Sequence, residues 1–363
     1  MKVAIVHDWL IGGGAERVVE QLHRMFPEAP IYTSYSTDEW RKRLDGKVIT
    51  GYLQHWPFSS LRKFVPFLRG WGFSRLDLSG YDLVISSSGA EAKFIKVKSP
   101  TKHIAYIHAP THYYWSRYND YLKHPGFGFF DPLAKLGLKL FVGPMRRWDF
   151  RAAQRPDYLI ANSNFTGKEI KKYYGRTSAV IYPPVNIEKF KILNKSSNKR
   201  RGYIIAGRQT PYKRFDLAVA ACTKLNLPLT VIGNGPQHKE LVKIAGPSVV
   251  FVTDASDEIL AEYLSGSKAF IFPGIDDFGI VAVEAMAAGT PVIAYKGGGA
   301  LDYIAPGKTG LFFQKQTVTA LCETLQKFQE LDSFNSTVVS NAAKDFKAQR
   351  FSEEVNKFIY DNV

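Results

Sequence analysis

One carboxylate lies in the middle of an otherwise apolar helical segment. Residues 275–295 read IDDFGIVAVEAMAAGTPVIAY, and helix-favouring residues run from Ile280 until Gly289 and Pro291 end the helix. Glu284 is the only charged residue of that helix. An ionised carboxylate in apolar surroundings is costly unless a partner meets it. Glu284 is therefore either a ligand-binding group or a residue that faces solvent.

Two cations follow a strand in the second half of the chain. In AGRQTPYKRFDLAV, Arg208 and Lys213 lie in a strand-to-helix loop. Together they could hold a diphosphate, with Arg as a planar fork and Lys as a point charge. The alternative is a solvated basic loop. The next strand also ends in a glycine turn, IGNGP.

A glycine-rich turn follows the first strand. GGGAERVVEQL places Gly13 and Gly14 immediately before a helix. Glycines let the backbone approach a diphosphate, and the free N–H groups of a helix N-terminus favour an anion. The spacing is not the GxGxxG of dinucleotide-binding proteins, and a plain tight turn is an equal alternative.

The spacing of acidic residues and cysteines indicates no metal site. Asp276 and Asp277 are adjacent rather than spaced as a DxD pair, and Cys222 and Cys322 have no metal or redox spacing, which favours a reducing compartment. The first ten residues lack the pattern of a signal peptide. No apolar run reaches the roughly 18 residues that a transmembrane helix needs.

Strands and helices alternate along the whole chain, which predicts parallel sheets with crossover helices. At 363 residues the chain exceeds one ordinary core. The polar stretch KILNKSSNKRR suits a linker. We predict an N-terminal domain over 1–183, a linker over 184–201, a C-terminal domain over 202–345, and a helix over 346–363 that packs back towards the N-terminal domain.

Seven motifs, in this order, resemble the retaining glycosyltransferases of family 4. They are GGGAERVVEQL, YIHAPTHYYW, IANSNFTGKEI, VIYPPVNIEKF, AGRQTPYKRFDLA, IGNGP and DDFGIVAVEAMAAGTPVIA. The resemblance implies the α/β GT-B fold, in which two Rossmann-like, doubly wound domains face each other across a cleft. It also implies that the N-terminal domain binds the acceptor and the C-terminal domain binds a nucleotide sugar.

The resemblance implies roles for particular residues. The family has two glutamates eight positions apart, of which the second matches Glu284 and would accept hydrogen bonds from ribose hydroxyls. The first falls on Asp276, whose side chain is one methylene shorter. The implied catalytic residues are Asp276, Arg208, Lys213 and His108. The implied donor-binding residues are Gly13, Gly14, Asn162, Phe278, Gly279, Ile280, Val281 and Glu284.

The implied acceptor-binding residues are His112, Tyr114 and Trp115. Many relatives, mannosyltransferases among them, continue after the histidine with a pattern like TPMRYLWD. In APTHYYWS, His112 stands in place of the Arg and Ser116 in place of the Asp. Acceptor contacts and mannose specificity therefore do not carry over directly.

The resemblance further implies retention at the anomeric carbon without a metal ion. The acceptor hydroxyl would attack on the face that the diphosphate leaves, and a phosphate oxygen would take its proton. Preorganised positive charge would stabilise the developing diphosphate. The nucleotide sugar is a substrate, with GDP-mannose slightly favoured, and no cofactor is needed.

Positive charge is concentrated in the first half of the chain. Residues 1–183 carry 27 Lys and Arg against 15 Asp and Glu, within a net charge of +15. Residues 58–75, with Arg62, Lys63 and Arg69, and residues 127–150 interleave basic with aromatic side chains. Such faces bind well at an anionic membrane surface. The alternative is a buried helix whose Lys and Arg reach solvent.

The resemblance implies a hexosyltransferase, and the basic segments predict that it is cytoplasmic and peripheral at the inner face of the cell membrane. Its acceptor would be lipid-linked or part of a surface glycan, as in lipopolysaccharide or polysaccharide biosynthesis. The alternatives are a soluble transferase with a small-molecule acceptor and a non-catalytic sugar- or polyanion-binding protein. A nucleic-acid-binding protein would need base-stacking or groove-reading motifs, which the sequence lacks. The sequence does not indicate an oligomeric state.

Overall fold

The computed structural model describes residues 1–61, 66–126, 128–191, 200–331 and 334–363, which form two compact units. The first unit consists of Met1–Pro184 together with Gln349–Val363, and the second of Val185–Ala348. Each unit is built on its own parallel sheet with crossover helices. The predicted fold class of two Rossmann-like α/β domains is confirmed.

The sheet of the first unit has seven strands, counted over the described residues, in the order β3-β2-β1-β4-β5-β6-β7. All pairings are parallel. The strands are β1 (Val3–His7), β2 (Ile31–Thr33), β3 (Val48–Thr50), β4 (Leu83–Ser88), β5 (Lys102–Ile107), β6 (Tyr158–Ala161) and β7 (Ala179–Val180). The helices are α1 (Gly14–Met25), α2 (Asp38–Arg43), α3 (Phe58–Leu61), α4 (Pro66–Phe73), α5 (Tyr118–Lys123), α6 (Asp131–Ala153) and α7 (Asn164–Tyr174).

Alternate residues of β1 enter two different apolar clusters. Val3 and Ile5 pack in one cluster, and Ala4 and Val6 pack in another. Successive side chains of a strand point to opposite faces of the sheet, so both faces of this sheet are covered. That explains why the central strands read as continuous apolar runs.

The second unit has six parallel strands within the described part of the chain, in the order β10-β9-β8-β11-β12-β13. They are β8 (Tyr203–Ala206), β9 (Leu229–Ile232), β10 (Val249–Val252), β11 (Ala269–Phe272), β12 (Val292–Tyr295) and β13 (Gly310–Phe313). The helices are α8 (Ile187–Lys191), α9 (Phe215–Lys224), α10 (His238–Ile244), α11 (Asp257–Gly266), α12 (Ile280–Ala287), α13 (Val318–Glu330) and α14 (Ser336–Ala342).

The start of the expected linker belongs to the fold of the second unit. Val185, Ile187 and Phe190 are buried, and Ile187 begins helix α8. Their near-helical spacing places apolar side chains on one face, which packs against α11 and α12. The linker prediction is therefore wrong for these residues, while 192–199 lie outside the described residues.

The last helix, α15 (Ala348–Asn362), packs almost entirely with the first unit. Phe351, Val355 and Ile359 follow one another at four-residue intervals and are buried in the same cluster as Val3 and Ile5. Four-residue spacing puts side chains on one face of a helix. The C-terminal segment therefore completes the core of the first unit.

No helix in the described ranges is long and apolar enough to cross a bilayer.

Candidate functional site

The strand order of the second unit reverses between β8 and β11. Strands β8, β9 and β10 follow one another in one direction, and β11, β12 and β13 in the other. In open α/β sheets, ligands bind beyond the carboxyl ends of the strands at such a reversal. The loops that follow β8 and β11 carry the cations and carboxylates singled out in the sequence.

Lys213 and Asp276 meet at this reversal. The Nζ atom of Lys213 lies 3.0 Å from Oδ2 of Asp276, and both side chains are largely buried. Lys213 follows β8 and Asp276 follows β11, so the ion pair joins the two loops. Arg208 is exposed in the first of these loops, and no ion pair of its guanidinium is seen among the described residues.

Glycines let the backbones around Asp276 pack closely. A Cβ on Gly274 would lie 2.7 Å from Cα of Lys213, and one on Gly298 would lie 2.5 Å from the carbonyl oxygen of Asp276. Gly299 donates its N–H to that same carbonyl at 2.9 Å. Any larger residue at Gly274 or Gly298 would push the loop away. The glycines therefore fix the position of the Asp276 loop.

Helix α12 begins directly after this loop. Gly279 precedes the helix with φ +90°, and a Cβ there would lie 2.6 Å from the ring of Phe272. Phe278 is buried, and its carbonyl oxygen accepts a hydrogen bond from the Tyr303 hydroxyl at 3.0 Å. Ile280 and Val281 form the first turn, where backbone N–H groups lack partners within the helix.

Glu284 lies in the second turn of helix α12 and is 1% exposed. The sequence left open whether this carboxylate faces solvent, and the structure excludes that alternative. Its helix neighbours Val283 and Ala285 are also buried. A carboxylate inside a helix this apolar needs partners that donate hydrogen bonds to it.

His108 lies at the end of β5 in the first unit. Its Nε2 atom is 2.7 Å from Oγ of Ser87 at the end of β4. Asn162, predicted to bind the donor, is almost fully buried and donates from Nδ2 to the carbonyl oxygen of His108 at 2.9 Å. The structure thus gives Asn162 a part in holding the backbone of His108.

The first unit has its own strand-order reversal, between β1 and β4. Asp8 follows β1 and is buried. Its carboxylate accepts hydrogen bonds from the backbone N–H groups of Gly89, Ala90 and Ala92 at 2.7–2.9 Å. One side chain therefore holds the loop after β4 against the end of β1.

Backbone N–H groups of the glycine-rich turn donate hydrogen bonds to the carboxylate of Glu16. Oε1 of the buried Glu16 accepts from the N–H of Gly12 at 3.0 Å and lies 3.4 Å from that of Ile11. Helix α1 starts at Gly14, with Gly13 as its N-cap residue. Two amides of this turn are thus already bound to Glu16, which leaves fewer of them for a phosphate.

The three predicted acceptor-binding residues differ in their contacts. His112 is partly exposed, and its Nδ1 lies 2.9 Å from Oγ of Ser116, so the two departures from the family pattern pair with each other. Tyr114 is buried, and Trp115 donates its indole N–H to Asp149 at 2.7 Å. Tyr114 is thus part of the core, whereas His112 and Trp115 are both partly exposed.

The prediction that Arg69 contributes to a basic surface is wrong. Arg69 is 3% exposed and is paired with the fully buried Glu91, to which its Nε donates at 2.5 Å. Burial lowers the pKa of Arg69, but Glu91, Tyr113 and Asp8 together raise it above its usual value, so the guanidinium stays charged. Arg62 and Lys63 of the same segment lie outside the described residues.

The first half of helix α6 exposes apolar side chains. Leu133, Leu136 and Leu140 share one face and are each more than half exposed. Phe129, just before the helix, is 94% exposed. Lys139, also exposed, lies beside this face. This apolar and basic part of the second segment predicted from sequence is therefore a surface, which we call the α6 face (residues 129–141).

Two features of the site were missed in the sequence. Gly298 and Gly299, which hold the Asp276 loop, belong to a GGG turn after β12 that resembles the turn at residues 12–14. Gln209 is fully buried and donates from Nε2 to the carbonyl of Gly233 at 2.6 Å, which joins the loops after β8 and β9. The three consecutive glycines could have been recognised in the sequence as a tight turn of the site. A single Gln has no pattern from which its burial could have been predicted.

No group of three or more His, Cys, Asp or Glu side chains in the described ranges is arranged to hold a metal ion.

Two protein families match the chain in succession. Residues 12–189 match Glycosyltransferase Family 4, and residues 186–345 match Glycosyl transferases group 1.

The curated proteins that resemble the chain include several with one name. The D-inositol 3-phosphate glycosyltransferase of a Nocardioides species is 26% identical over 241 residues, which are 56% of this chain and 52% of that protein. Its namesake in Streptomyces avermitilis is 29% identical over 222 residues, 52% of this chain and 47% of that protein. The chain thus spans about half the length of these curated relatives.

Solved structures resemble the chain over nearly its full length. Anabaena HepE in complex with UDP gives a TM-score of 0.72 at 17% identity, covering 99% of this chain and 100% of that one. WaaG, a glycosyltransferase involved in lipopolysaccharide biosynthesis, gives 0.65 at 15% identity, covering 98% and 99%. At such identities the likeness shows a shared fold.

Proposed function

We propose that this chain, which carries a glycosyltransferase family 4 domain followed by a glycosyl transferases group 1 domain on the GT-B fold, transfers a hexose from a nucleotide-sugar donor. The observation that carries the proposal is the meeting of Lys213 and Asp276 where the strand order of the second unit reverses. Arg208 lies in the same loop as Lys213, and Glu284 lies in the helix that follows Asp276.

Each of these groups has a part in the proposed reaction. Arg208 and Lys213 hold the diphosphate, whose negative charge grows as the sugar leaves. Glu284, whose carboxylate is almost fully buried, accepts charge-assisted hydrogen bonds from the ribose hydroxyls. Asp276 lies beside the sugar, with Lys213 partly neutralising its charge.

The proposed transfer retains the configuration of the anomeric carbon and needs no metal ion. The acceptor hydroxyl attacks from the side of the leaving diphosphate and gives its proton to a phosphate oxygen. The bond from the anomeric carbon to the diphosphate breaks as the new glycosidic bond forms. The two cations do the work of a divalent metal by stabilising the leaving group.

The donor is a nucleoside diphosphate hexose. The sequence favours GDP-mannose, while structures of Anabaena HepE contain UDP and UDP-glucose and make UDP-hexoses equal candidates. The first unit is proposed to contribute His108 to the transfer and His112 to acceptor binding.

The proposed acceptor is a lipid-linked or surface glycan, reached from the cytoplasmic side of a membrane. The α6 face supports this, because exposed leucines flanked by lysines suit an anionic bilayer surface. A small-molecule acceptor is the second candidate, supported by relatives named for D-inositol 3-phosphate. A non-catalytic sugar- or polyanion-binding protein is the third; it would bind nucleotide sugars without turnover.

A thermal-shift screen across UDP, GDP, ADP and dTDP tests the donor proposal. One nucleoside diphosphate should raise the apparent stability by roughly 2.7 kcal/mol at 100 times its Kd, because it binds only the folded protein. The shift should persist in EDTA. The matching nucleoside and a DNA oligonucleotide serve as controls and should give little or no shift. If all four diphosphates behave like the controls, the proposed donor site is wrong.

A liposome assay tests the α6 face. Changing Lys135 and Lys139 together to Gln should weaken binding to anionic vesicles by about 2 kcal/mol, at about 1 kcal/mol per charge near the surface, or roughly 30-fold in partition. Lys239→Gln with Lys243→Gln is the matched control, because this pair has the same spacing on the exposed face of α10 in the second unit. Equal losses in both pairs, or none in the first, would contradict membrane binding through this face.

A further inference from the structure

Three polar side chains from adjacent strands of the first unit form a chain of hydrogen bonds. His7 ends β1, Ser87 lies near the end of β4, and His108 follows β5. His7 and Ser87 are buried, and His108 is partly exposed. Oγ of Ser87 lies 2.7 Å from Nε2 of His108. Nδ1 of His7 lies 2.8 Å from the Ser87 carbonyl oxygen and 3.2 Å from Oγ of Ser87.

The direction of each hydrogen bond follows from its atoms. A carbonyl oxygen only accepts, so Nδ1 of His7 carries a proton and donates it to Ser87. That nitrogen cannot also accept from the Ser87 hydroxyl. Over the described residues, the other atom within hydrogen-bond distance of Oγ is Nε2 of His108. A fully buried hydroxyl that donates to nothing is costly, so Ser87 donates to His108.

This direction determines where His108 keeps its proton. In a neutral imidazole one nitrogen donates and the other accepts, and the partner of one nitrogen sets the state of the other. Since Nε2 of His108 accepts from Ser87, the proton must be on Nδ1. We propose that Ser87, oriented by His7, is a positioning residue that holds His108 as its Nδ1–H tautomer. The ring then offers a donor at Nδ1 to an oxygen of the sugar substrate.

The backbone of His108 is held independently of its ring. Its carbonyl oxygen accepts from Nδ2 of Asn162 at 2.9 Å. The ring packs edge-on against the rings of His7 and Tyr106, with centroids 6.2 and 5.2 Å away. Removing the Ser87 hydroxyl should therefore leave the ring in place and change chiefly its tautomer.

Strand β4 supplies a matched control on its other face. Oγ of Ser86 lies 2.8 Å from Nε2 of His103, and both side chains are fully buried. Adjacent residues of a strand point to opposite faces of the sheet. Ser86→Ala thus removes a buried hydrogen bond of the same type, of similar length and on the same strand, without touching His108.

The test combines nitrogen NMR of ¹⁵N-histidine-labelled protein with steady-state kinetics. The parent spectrum, assigned through His108→Gln, should show His108 protonated at Nδ1 and not at Nε2. In Ser87→Ala the Nε2–H form should appear, and kcat should fall by about tenfold, the effect of misplacing one hydrogen bond at the reacting groups. The KM for the donor should change little. Ser86→Ala should alter neither the His108 tautomer nor kcat, and Ser87→Thr, which keeps the hydroxyl, should restore the parent tautomer.

Three results would overturn the inference: an Nε2–H parent, an unchanged tautomer in Ser87→Ala, or a changed tautomer with an unchanged kcat. The consequence for kcat rests on the proposed function, whereas the tautomer does not. If the parent transfers no sugar from any nucleotide donor, the proposed function is wrong, and so is the proposed role of Ser87 and His108 in the transfer. The spectra would still decide whether Ser87 sets the tautomer of His108.

Discussion

Lys213→Ala and Arg208→Ala should each lower turnover by on the order of 10²-fold or more, as expected when preorganised charge at a leaving group is lost. Lys213 is the better placed of the two, because its ammonium is already fixed 3.0 Å from Asp276 in a largely buried position. A fixed charge needs no reorganisation as the diphosphate leaves. Steady-state kinetics with the donor identified by the nucleotide screen is the measurement.

Arg214→Ala is the matched control for this prediction. Arg214 is next to Lys213, but its guanidinium already binds Asp216 through hydrogen bonds of 3.0–3.3 Å. Loss of this partly exposed ion pair should lower the free energy of unfolding by no more than about 1 kcal/mol and should leave turnover nearly unchanged. A loss in Arg214→Ala as large as in Lys213→Ala would mean that the loop is merely destabilised.

A double variant separates two causes of the loss in Lys213→Ala. Removing the lysine also leaves the Asp276 carboxylate without its partner, beside a diphosphate of the same charge. If that repulsion is the cause, adding Lys213→Ala to Asp276→Asn should lower turnover little below that of Asp276→Asn alone. If the lost grip on the diphosphate is the cause, Lys213→Ala should cost as much turnover in the Asp276→Asn background as in the parent. We expect the second result.

The strands that position the site could be predicted because their runs of apolar residues are long enough to be recognised as buried strands. β1, β5, β8 and β11 each stand in the sequence as four or more mostly apolar residues followed by glycine, proline or polar residues, and β4 stands as three apolar residues before three serines. β2 has three residues and β7 has two, so they are too short to show the alternation of apolar and polar residues that indicates a strand. These strands exist because a neighbour in the sheet pairs with them.

Pairing between distant loops could not be predicted from the sequence. Lys213 and Asp276 are 63 residues apart and meet only because β8 and β11 are adjacent in the sheet. Charge counting failed for Arg69 for the same reason, since its partner Glu91 follows a different strand. The basic surplus of the first half is real, but composition does not tell which cations are buried in pairs. For residues 127–150 the sequence favoured a basic and aromatic surface over a buried helix, and the part of α6 with Leu133, Leu136 and Leu140 is exposed.

The final prediction concerns Glu284, whose burial leaves two explanations for a carboxylate in helix α12. It either binds the ribose of the donor or serves the fold alone. Glu284→Gln keeps the size and one acceptor oxygen but loses the charge that strengthens hydrogen bonds from the ribose hydroxyls. If Glu284 binds the ribose, nucleotide affinity should fall by roughly 1–3 kcal/mol for each charge-assisted bond lost. Glu240→Gln, on the exposed surface of α10, is the control and should bind like the parent.

Affinity alone does not separate the two explanations, because a structural defect also weakens binding. A double cycle measured by calorimetry separates them. It compares the binding of the ribonucleotide and of its 2′-deoxy form to the parent and to Glu284→Gln. The parent should discriminate against the deoxy form, which lacks one donor to the carboxylate, and the variant should discriminate much less. A defect of the fold would lower both affinities equally and give a coupling energy near zero. That result would remove Glu284 from the donor site, and the ribose would need another partner in the second unit.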